Sequence, residues 1–389
     1  MAKETNAEIA LKTKNQNDFY KKMNFCPTYF ESAVEHFYKD VHKYETRSNS
    51  WAQCYTHFVA LKGKYSSSGS LSPKEIDEAC VRLGFYMASW GMYRGSSFLL
   101  QNDYKIYEKI IPVLLKYNDL WELDKNIDKL ISENASMEKV NTEIDKWAKS
   151  IKDLTDDICD ILKDYKHHYI TKSWYTNHMP SVCSISKTLV TKLILGTIGC
   201  YPAIDSFFSD AVGAVANDLS GDQIKCMLRL AYYVKKDIHD KKIIICSNDD
   251  NAYRHPLLLS DYPVMKLIDM YYFTLGMEKP FLKLISDLLK GKTTISELDN
   301  QEKKLLKQFI IYNEVTKNPE VNISYPCYPI NKEATPCTCI YLTLDICKNN
   351  KESHNKKEEL IYDDIIGKLT DTKGDLYKKI TNMKDDTEE

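Results

Sequence analysis

The clearest hydrophobic pattern in the chain lies between residues 119 and 166. Apolar residues recur there alternately three and four positions apart: Met137, Val140, Ile144, Trp147, Ile151, Leu154, Ile158, Ile161 and Tyr165. A shorter series of leucines and isoleucines precedes the polar break Asn134-Ala135-Ser136. This spacing is typical of one helix face, and it predicts an antiparallel helical hairpin over 119–166. We favour packing of the hairpin on the body over an intermolecular coiled coil, because short isolated zippers are marginal.

Helical spacing also dominates the rest of the chain. Apolar and aromatic residues follow it within 18–62, and Ser72-Pro73-Lys74-Glu75 has the sequence of a helix start, with a capping Ser and a Glu three positions later. The small residues within 84–101 predict close packing of an apolar helical segment. The best strand prediction is the weak alternation over 338–344. The fold class is therefore mainly α with little β.

The pattern divides the chain into four parts. Residues 1–118 form the N-terminal helical part of the body, and 119–166 form the hairpin. Residues 167–347 form a second helical core with the short β-like segment, and 348–389 form a charged tail. The length of 389 residues is sufficient for a large core.

Composition excludes several classes of protein. The net charge of −2, from 53 basic and 55 acidic residues, excludes a binder that depends on a basic tail, so any contact with DNA must use a local basic surface. Apolar runs are shorter than a membrane-spanning helix requires, and the N-terminal sequence lacks an apolar signal core. With 12 cysteines and no export signal, we expect a cytoplasmic protein with reduced thiols.

Motifs for metals and cofactors are missing from the sequence. No Cys-x2-Cys pair, His-Glu-x-x-His, phosphate-binding loop or dinucleotide glycine motif occurs. We therefore expect neither a metal nor a cofactor. A thiol nucleophile at Cys183 or Cys200 stays open as an alternative, although buried cysteines are far commoner.

The most informative segment is 181–208. A polar turn leads into a helix that opens near Ser186 or Lys187, and Gly196 is a plausible stop for it. Nine helical residues travel about 14 Å, and the following eight can span about 25 Å and return. The segment then opens a second helix whose first turn holds Asp205. Lys187 and Asp205 are thus predicted to share a pocket.

This arrangement resembles the catalytic core of the helix-hairpin-helix DNA glycosylases over about 30 residues. Lys187 matches the lysine that follows the family hairpin, and Pro202-Ala203-Ile204-Asp205 matches its Pro-x-Asp with one extra residue. The family's Gly-x-Gly hairpin is replaced by Ser184-Ile185-Ser186. The resemblance implies a glycosylase-like helical body without an iron–sulfur cluster.

The resemblance also implies a chemistry. A carboxylate at Asp205 would stabilise the sugar cation formed when an N-glycosidic bond breaks, and would orient water. We expect the helix dipole to keep Asp205 ionised. Lys187 would assist, or attack the sugar as a lyase nucleophile. The target base must be flipped into an aromatic-walled pocket.

The expected site residues fall into three groups. The catalytic residues are Asp205 and Lys187. The substrate-binding residues are Tyr201, Phe207, Phe208, Trp90 and Arg94. The DNA-backbone residues are Ser184, Ser186, Lys192, Lys225 and Arg229. Several have a plain structural alternative: Asp205 as a helix cap, the phenylalanines as core, Arg94 as a donor to buried carbonyl groups, Lys187 and Lys192 as surface lysines, and Lys225 and Arg229 as part of a solvated helix face.

The sequence therefore favours a DNA glycosylase. By resemblance to bacterial antiviral defence proteins, its expected substrate is a modified base in double-stranded phage DNA, such as glucosylated hydroxymethylcytosine. The alternative is a non-catalytic helical module that binds nucleic acid or a protein partner.

Overall fold

The computed structural model describes residues 4–27, isolated positions between 30 and 38, and residues 49–94, 97–170, 185–245 and 257–289. All regular secondary structure within these residues is helical, which confirms the prediction of a mainly α protein. The chain divides into two compact units, one of residues 1–27 and 41–273 and one of residues 28–40 and 274–389. The predicted strand at 338–344 and the tail at 348–389 lie outside the described residues.

The helices follow one another with short connections. They are α1 (Asn6–Leu11), α2 (Gln16–Lys22), α3 (Asn49–Ser68), α4 (Pro73–Ser89), α5 (Ile110–Leu114), α6 (Asn118–Trp121), α7 (Leu123–Ser132), α8 (Met137–Ile170), α9 (Lys187–Thr197), α10 (Ser206–Val212), α11 (Gly221–His239) and α12 (Val264–Leu289). Short 3-10 turns cover Phe98–Gln101, Tyr104–Tyr107, Gly213–Val215 and Leu259–Asp261. Within the ranges given above, no helix combines the length and the apolar character that a membrane crossing needs.

Helix α4 begins where its sequence predicts, but it ends well before residue 101. The Ser72 hydroxyl accepts a hydrogen bond from the Glu75 backbone N–H, and the Glu75 carboxylate accepts one from the Ser72 backbone N–H, which completes a capping box. Trp90 caps the C-terminus, and Gly91 follows with a φ of +73°. Because glycine adopts this left-handed conformation without a Cβ clash, the helix ends at Ser89 and does not continue through 101.

Helix α8 is a central element of the first unit. Its predicted seam is buried from Val140 through Ile158, and Met137 at its start is exposed. The seam packs mainly against α11 and also against α5, α6 and α9. Helix α7 packs against α11 as well. The heptad pattern of α8 therefore contributes to the core of the unit.

Helix α9 runs through the interior of the same unit. Every residue from Leu189 to Thr197 is buried, and the helix packs against α3, α4 and α8. Gly196 lies within the helix, where an added Cβ would be 2.2 Å from Cε1 of Tyr86. The residue that ends the helix is Gly199, which has a φ of +73°. The prediction of a stop at Gly196 was therefore wrong, because this glycine serves close packing.

Candidate functional site

After α9 ends, the chain runs back to the first turn of that helix before α10 begins. Ser186 caps α9 by accepting a hydrogen bond from the Leu189 backbone N–H. The Thr188 hydroxyl donates to the Ile204 carbonyl oxygen at 2.7 Å, and the Ile204 N–H donates to the Thr191 hydroxyl at 2.9 Å. These bonds place the residue that precedes Asp205 directly against α9. The return expected from the segment length is present.

Asp205 forms the N-cap of α10 and an ion pair with α9. Its Oδ1 accepts a hydrogen bond from the Phe208 N–H at 3.1 Å, and its Oδ2 lies 3.7 Å from Nζ of Lys192. The side chains are 15% and 7% exposed for Asp205 and Lys192, respectively. Lys192 also donates to the Trp90 carbonyl oxygen at 3.2 Å. The carboxylate is thus desolvated, oriented by a helix terminus, and held beside a buried ammonium group.

A second buried ion pair lies on the other side of the returning segment. Lys266 and Asp269, both near the start of α12, are 2.8 Å apart and almost fully buried. Oδ1 of Asp269 accepts a hydrogen bond from the Ala203 N–H at 3.0 Å, two residues before Asp205. We call Lys192, Asp205, Lys266 and Asp269 the charged cluster. Its two pairs together fix the backbone that leads to Asp205.

The indole ring of Trp90 lies near both ammonium groups of the charged cluster. Nζ of Lys192 and Nζ of Lys266 are each 5.7 Å from the centre of this ring, and Lys266 is also 5.1 Å from that of Trp51. An aromatic face attracts a cation, most strongly where water is excluded. The aromatic rings therefore provide favourable electrostatic contacts for the two buried ammonium groups.

Burial raises the pKa of Asp205 above its ordinary value. The Lys192 ammonium opposes this shift, as does the Phe208 N–H, whereas the nearby Asp269 carboxylate adds to it. The loss of hydration therefore outweighs the helix terminus in the pKa of Asp205, and the expectation that the dipole keeps this group ionised stays a prediction. A carboxyl group of this kind stabilises a nearby cation when ionised and holds a proton more readily than an exposed aspartate.

A row of half-buried aromatic rings runs beside the charged cluster. Phe273 contacts Trp90 edge to face at 5.9 Å between ring centres, and Phe207 contacts Phe273 at 5.4 Å. We call Trp90, Phe207 and Phe273 the aromatic row. Tyr201 and Phe208, which were predicted to bind substrate, are fully buried, and Phe208 packs against a tyrosine of α12. The structure therefore assigns these two residues to the core.

Lys187 and Arg94 lie apart from this arrangement. Lys187 is exposed at the start of α9, and its ammonium donates to the carbonyl oxygen of Asn217. Lys187 and Asp205 were predicted to share a pocket, but the ammonium group beside Asp205 is that of Lys192. Arg94 is exposed, and its guanidinium lies over Gly91, where an added Cβ would be 2.8 Å from Nε.

The basic residues predicted to follow a DNA backbone are mostly engaged inside the protein. Lys192 belongs to the charged cluster. Arg229 is 8% exposed and donates to the Leu11 carbonyl oxygen at 2.6 Å and to Oδ1 of Asn141 at 2.9 Å. Lys225 forms an ion pair with Asp145 at 2.8 Å. Lys192 and Arg229 are buried and therefore poorly placed to contact phosphate groups, which corrects the prediction for these two residues. Lys225 is partly exposed, so its predicted contact stays a prediction.

The two serines of the predicted hairpin have different outcomes. Ser186 is the exposed cap of α9. Ser184 lies outside the described residues, so its predicted contact with a phosphate stays a prediction.

The thiol alternative is weakened by burial. Cys200 is fully buried, and this burial raises the pKa of its thiol, which disfavours the reactive thiolate. Cys183 lies outside the described residues. Among the described histidine, cysteine and acidic side chains, no group of three has the arrangement of a metal site.

Lys266, Asp269 and the pairing of Lys192 with Asp205 were not predicted from the sequence. The available signal was the occurrence of two opposite charges, three residues apart, within the otherwise apolar run 264–273. Charged residues inside such a run are rarely buried unless they are paired.

No family model, curated protein or solved structure matches the chain. The interpretation of its function therefore depends on the site itself.

Proposed function

We propose that the protein excises a base from DNA by hydrolysing its N-glycosidic bond, with Asp205 as the catalytic carboxylate. The observation that supports this most is the position of Asp205. Its carboxylate is largely desolvated at the start of a helix, 3.7 Å from a buried ammonium and two residues before Phe207 of the aromatic row. Breaking the bond to a base builds positive charge on the sugar, and a fixed carboxylate in a poorly hydrated site stabilises that charge effectively.

The two lysines of α9 have separate roles in this proposal. Lys192 holds the carboxylate of Asp205 in place and favours its ionised form. Lys187, which is exposed at the start of the same helix, is the candidate nucleophile for a lyase step. Attack by its amine on the sugar carbon would displace the base and lead to a Schiff base. Without that attack, water completes the reaction and leaves an abasic site.

The aromatic row is the proposed contact for the extruded base. Its three rings are half-buried, so each keeps part of its surface accessible. Aromatic side chains commonly stack against a flipped base. The proposed substrate, which rests on the family resemblance, is a modified base of phage DNA such as glucosylated hydroxymethylcytosine. Antiviral defence in the bacterial cytoplasm would be the corresponding biological role.

A non-catalytic helical module is the second candidate function. It is favoured by the internal pairing of the charged cluster: Asp205 caps a helix and binds Lys192, and Asp269 binds both Lys266 and the Ala203 N–H. Such a cluster can serve stability and specificity of folding alone. A glycosylase would need Asp205 to form its product, whereas a non-catalytic module would form no product.

The test is incubation of the purified full chain with phage DNA carrying glucosylated hydroxymethylcytosine, with unmodified, uracil-containing and alkylated DNA alongside. Our proposal predicts alkali-labile sites on at least one of these DNAs. Lys187→Gln should retain these sites and lose any strand cleavage before alkali, and borohydride should trap a lysine adduct only when Lys187 is present. Absence of alkali-labile sites on every DNA would support the non-catalytic module.

A further inference from the structure

A cavity of about 480 Å³ lies in the first compact unit, between α11 and the start of α12. Asp124 of α7, Lys235 and Ile238 of α11, and Tyr262 and Leu267 are among the residues that line it. Its volume falls within the range of about 300–1,000 Å³ that is usual for small-molecule sites. Asp205 and the aromatic row do not line this cavity, so it is separate from the site of the proposed function.

Most of the cavity wall is aliphatic. After α11 the chain reverses at Lys241, which has a φ of +57°, and the N–H of Ile243 donates to the carbonyl oxygen of Asp237 at 3.1 Å. This turn brings Ile243 and Ile244 into the wall. Ile243 is buried, whereas Ile244 is 58% exposed. An exposed isoleucine that continues an apolar wall offers surface to an apolar molecule.

One wall of the cavity carries a charged group of defined geometry. Oδ2 of Asp124 accepts hydrogen bonds from Nζ of Lys235 at 3.1 Å and from the Val264 N–H at 3.1 Å. The Lys235 ammonium also donates to Asp128 at 2.8 Å. One ammonium is thus shared between two carboxylates. Within the described part of the chain, the two hydrogen bonds that the Asp124 carboxylate accepts both reach Oδ2. Its Oδ1 is therefore the acceptor left for a ligand.

The charges on this wall select the ligand. The ammonium of Lys235 already donates to two carboxylates, and the other two charged lining residues, Lys241 and Asp261, have opposite signs. Counted with Asp128, the described charges around the cavity are three carboxylates and two ammonium groups, an excess that disfavours an anionic ligand. A protonated amine, in contrast, would meet the Asp124 carboxylate and bring these charges to three carboxylates and three cations. Charge-assisted hydrogen bonds of this kind are stronger than those between neutral groups.

We propose that this cavity binds a small amphipathic amine, whose ammonium group donates to Asp124 and whose apolar body lies against Ile238, Ile243, Ile244 and Leu267. The proposal is independent of base excision, because it uses none of the same residues. Binding to DNA or base release would neither support nor contradict it.

Isothermal titration of the full chain with octylamine, octanol and octanoate tests the selection of the head group at constant chain length. We expect octylamine to bind about tenfold or more tightly than octanol, because of the charge-assisted bond, and octanoate to bind most weakly. Asp124→Asn should reduce the preference for octylamine over octanol to near unity. Equal binding of the three probes, tighter binding of octanoate, or no saturable binding would overturn the proposal.

A pair of matched variants tests the location without changing Asp124. Ile244→Trp places a bulky ring on the cavity wall and should weaken octylamine binding about tenfold. Val81→Trp makes the same kind of change at a similarly exposed residue, 46% exposed, on α4 away from the cavity. It should leave binding unchanged. Equal effects of the two variants on octylamine binding would place the site elsewhere and refute the proposal, even if Asp124→Asn does not fold.

Discussion

Replacement of Lys192 by methionine removes one partner of a largely buried ion pair and keeps most of the side-chain length. At the observed separation of 3.7 Å, the attraction between the two charges is about 4 kcal/mol with an effective dielectric constant near 20. Breaking a buried pair by removing one partner typically costs about 3–5 kcal/mol. Asp205 keeps the Phe208 N–H and a little exposure to water. We therefore expect Lys192→Met to lower the free energy of unfolding by about 3 kcal/mol.

The reciprocal change, Asp205→Asn, leaves the opposite charge without its partner. Asparagine is also a good helix cap, so the bond from the Phe208 N–H can remain. The loss should therefore arise mainly from the Lys192 ammonium, whose side chain is 7% exposed. The double variant removes both charges, so its loss should be smaller than the sum of the two single losses by about 1–3 kcal/mol.

Urea unfolding at pH 7, followed by far-ultraviolet circular dichroism, measures these four free energies. The control cycle is Lys149→Met with Asp153→Asn on α8, where the groups are 2.6 Å apart but exposed. Its coupling should be below about 0.5 kcal/mol, because water screens surface pairs. Additive losses for Lys192 and Asp205, within about 0.5 kcal/mol, would refute the reasoning that the pair is held in a poorly hydrated site.

Two further predictions follow from the site and its surroundings. Because burial raises the pKa of Asp205, base release should fall as the pH drops through that raised pKa, where the carboxylate takes up a proton. Lys192→Met removes a cation that lowers this pKa, so the acid limb of the pH–rate profile should move to higher pH; an unchanged limb would show that another group controls it. Gly196→Ala should lose about 1–3 kcal/mol in thermal melts because its Cβ would lie 2.2 Å from the Tyr86 ring. Gly63→Ala, in a helix with nothing within 4 Å, should gain about 0.5–1 kcal/mol, and equal effects at the two glycines would contradict this packing argument.

Local sequence signals predicted much of the helical framework. The apolar spacing of 137–165 identified α8, and the capping residues Ser72 and Ser186 marked the starts of α4 and α9. Asp205 was expected at the start of a helix and caps α10. These features depend on residues close together in the chain, so their patterns are visible without a structure.

The partner of Asp205 could not be predicted in the same way. The returning chain lies on the face of α9 formed by Thr188, Thr191 and Lys192, which are spaced i, i+3 and i+4. Lys187 lies at the edge of this face, about 140° around the helix from Lys192, and its ammonium donates to the Asn217 carbonyl oxygen instead. Chain length alone shows that a return is possible, but not which face of the helix it meets.

The second ion pair depends on contacts that are distant in sequence. Lys266 and Asp269 are 60 or more positions from Asp205, and only the packing of α12 brings them to the returning segment. Phe207 and Phe208 also meet different surroundings through contacts with residues distant in sequence. Adjacent helical residues point about 100° apart, so one joins the aromatic row while the other enters the core.

The most direct test of the central claim is mass-spectrometric measurement of free base released from glucosylated hydroxymethylcytosine DNA, with enzyme in excess over substrate. Wild-type protein and Asp205→Asn are compared at equal concentration, after circular dichroism has shown that both are folded. Our proposal predicts release by the wild type and a loss of about 100-fold or more in Asp205→Asn, which is the scale expected for removing a charge-stabilising group. Equal rates of release for the two proteins would contradict the role of Asp205, and no release by the wild type from this or any other tested DNA would contradict base excision itself.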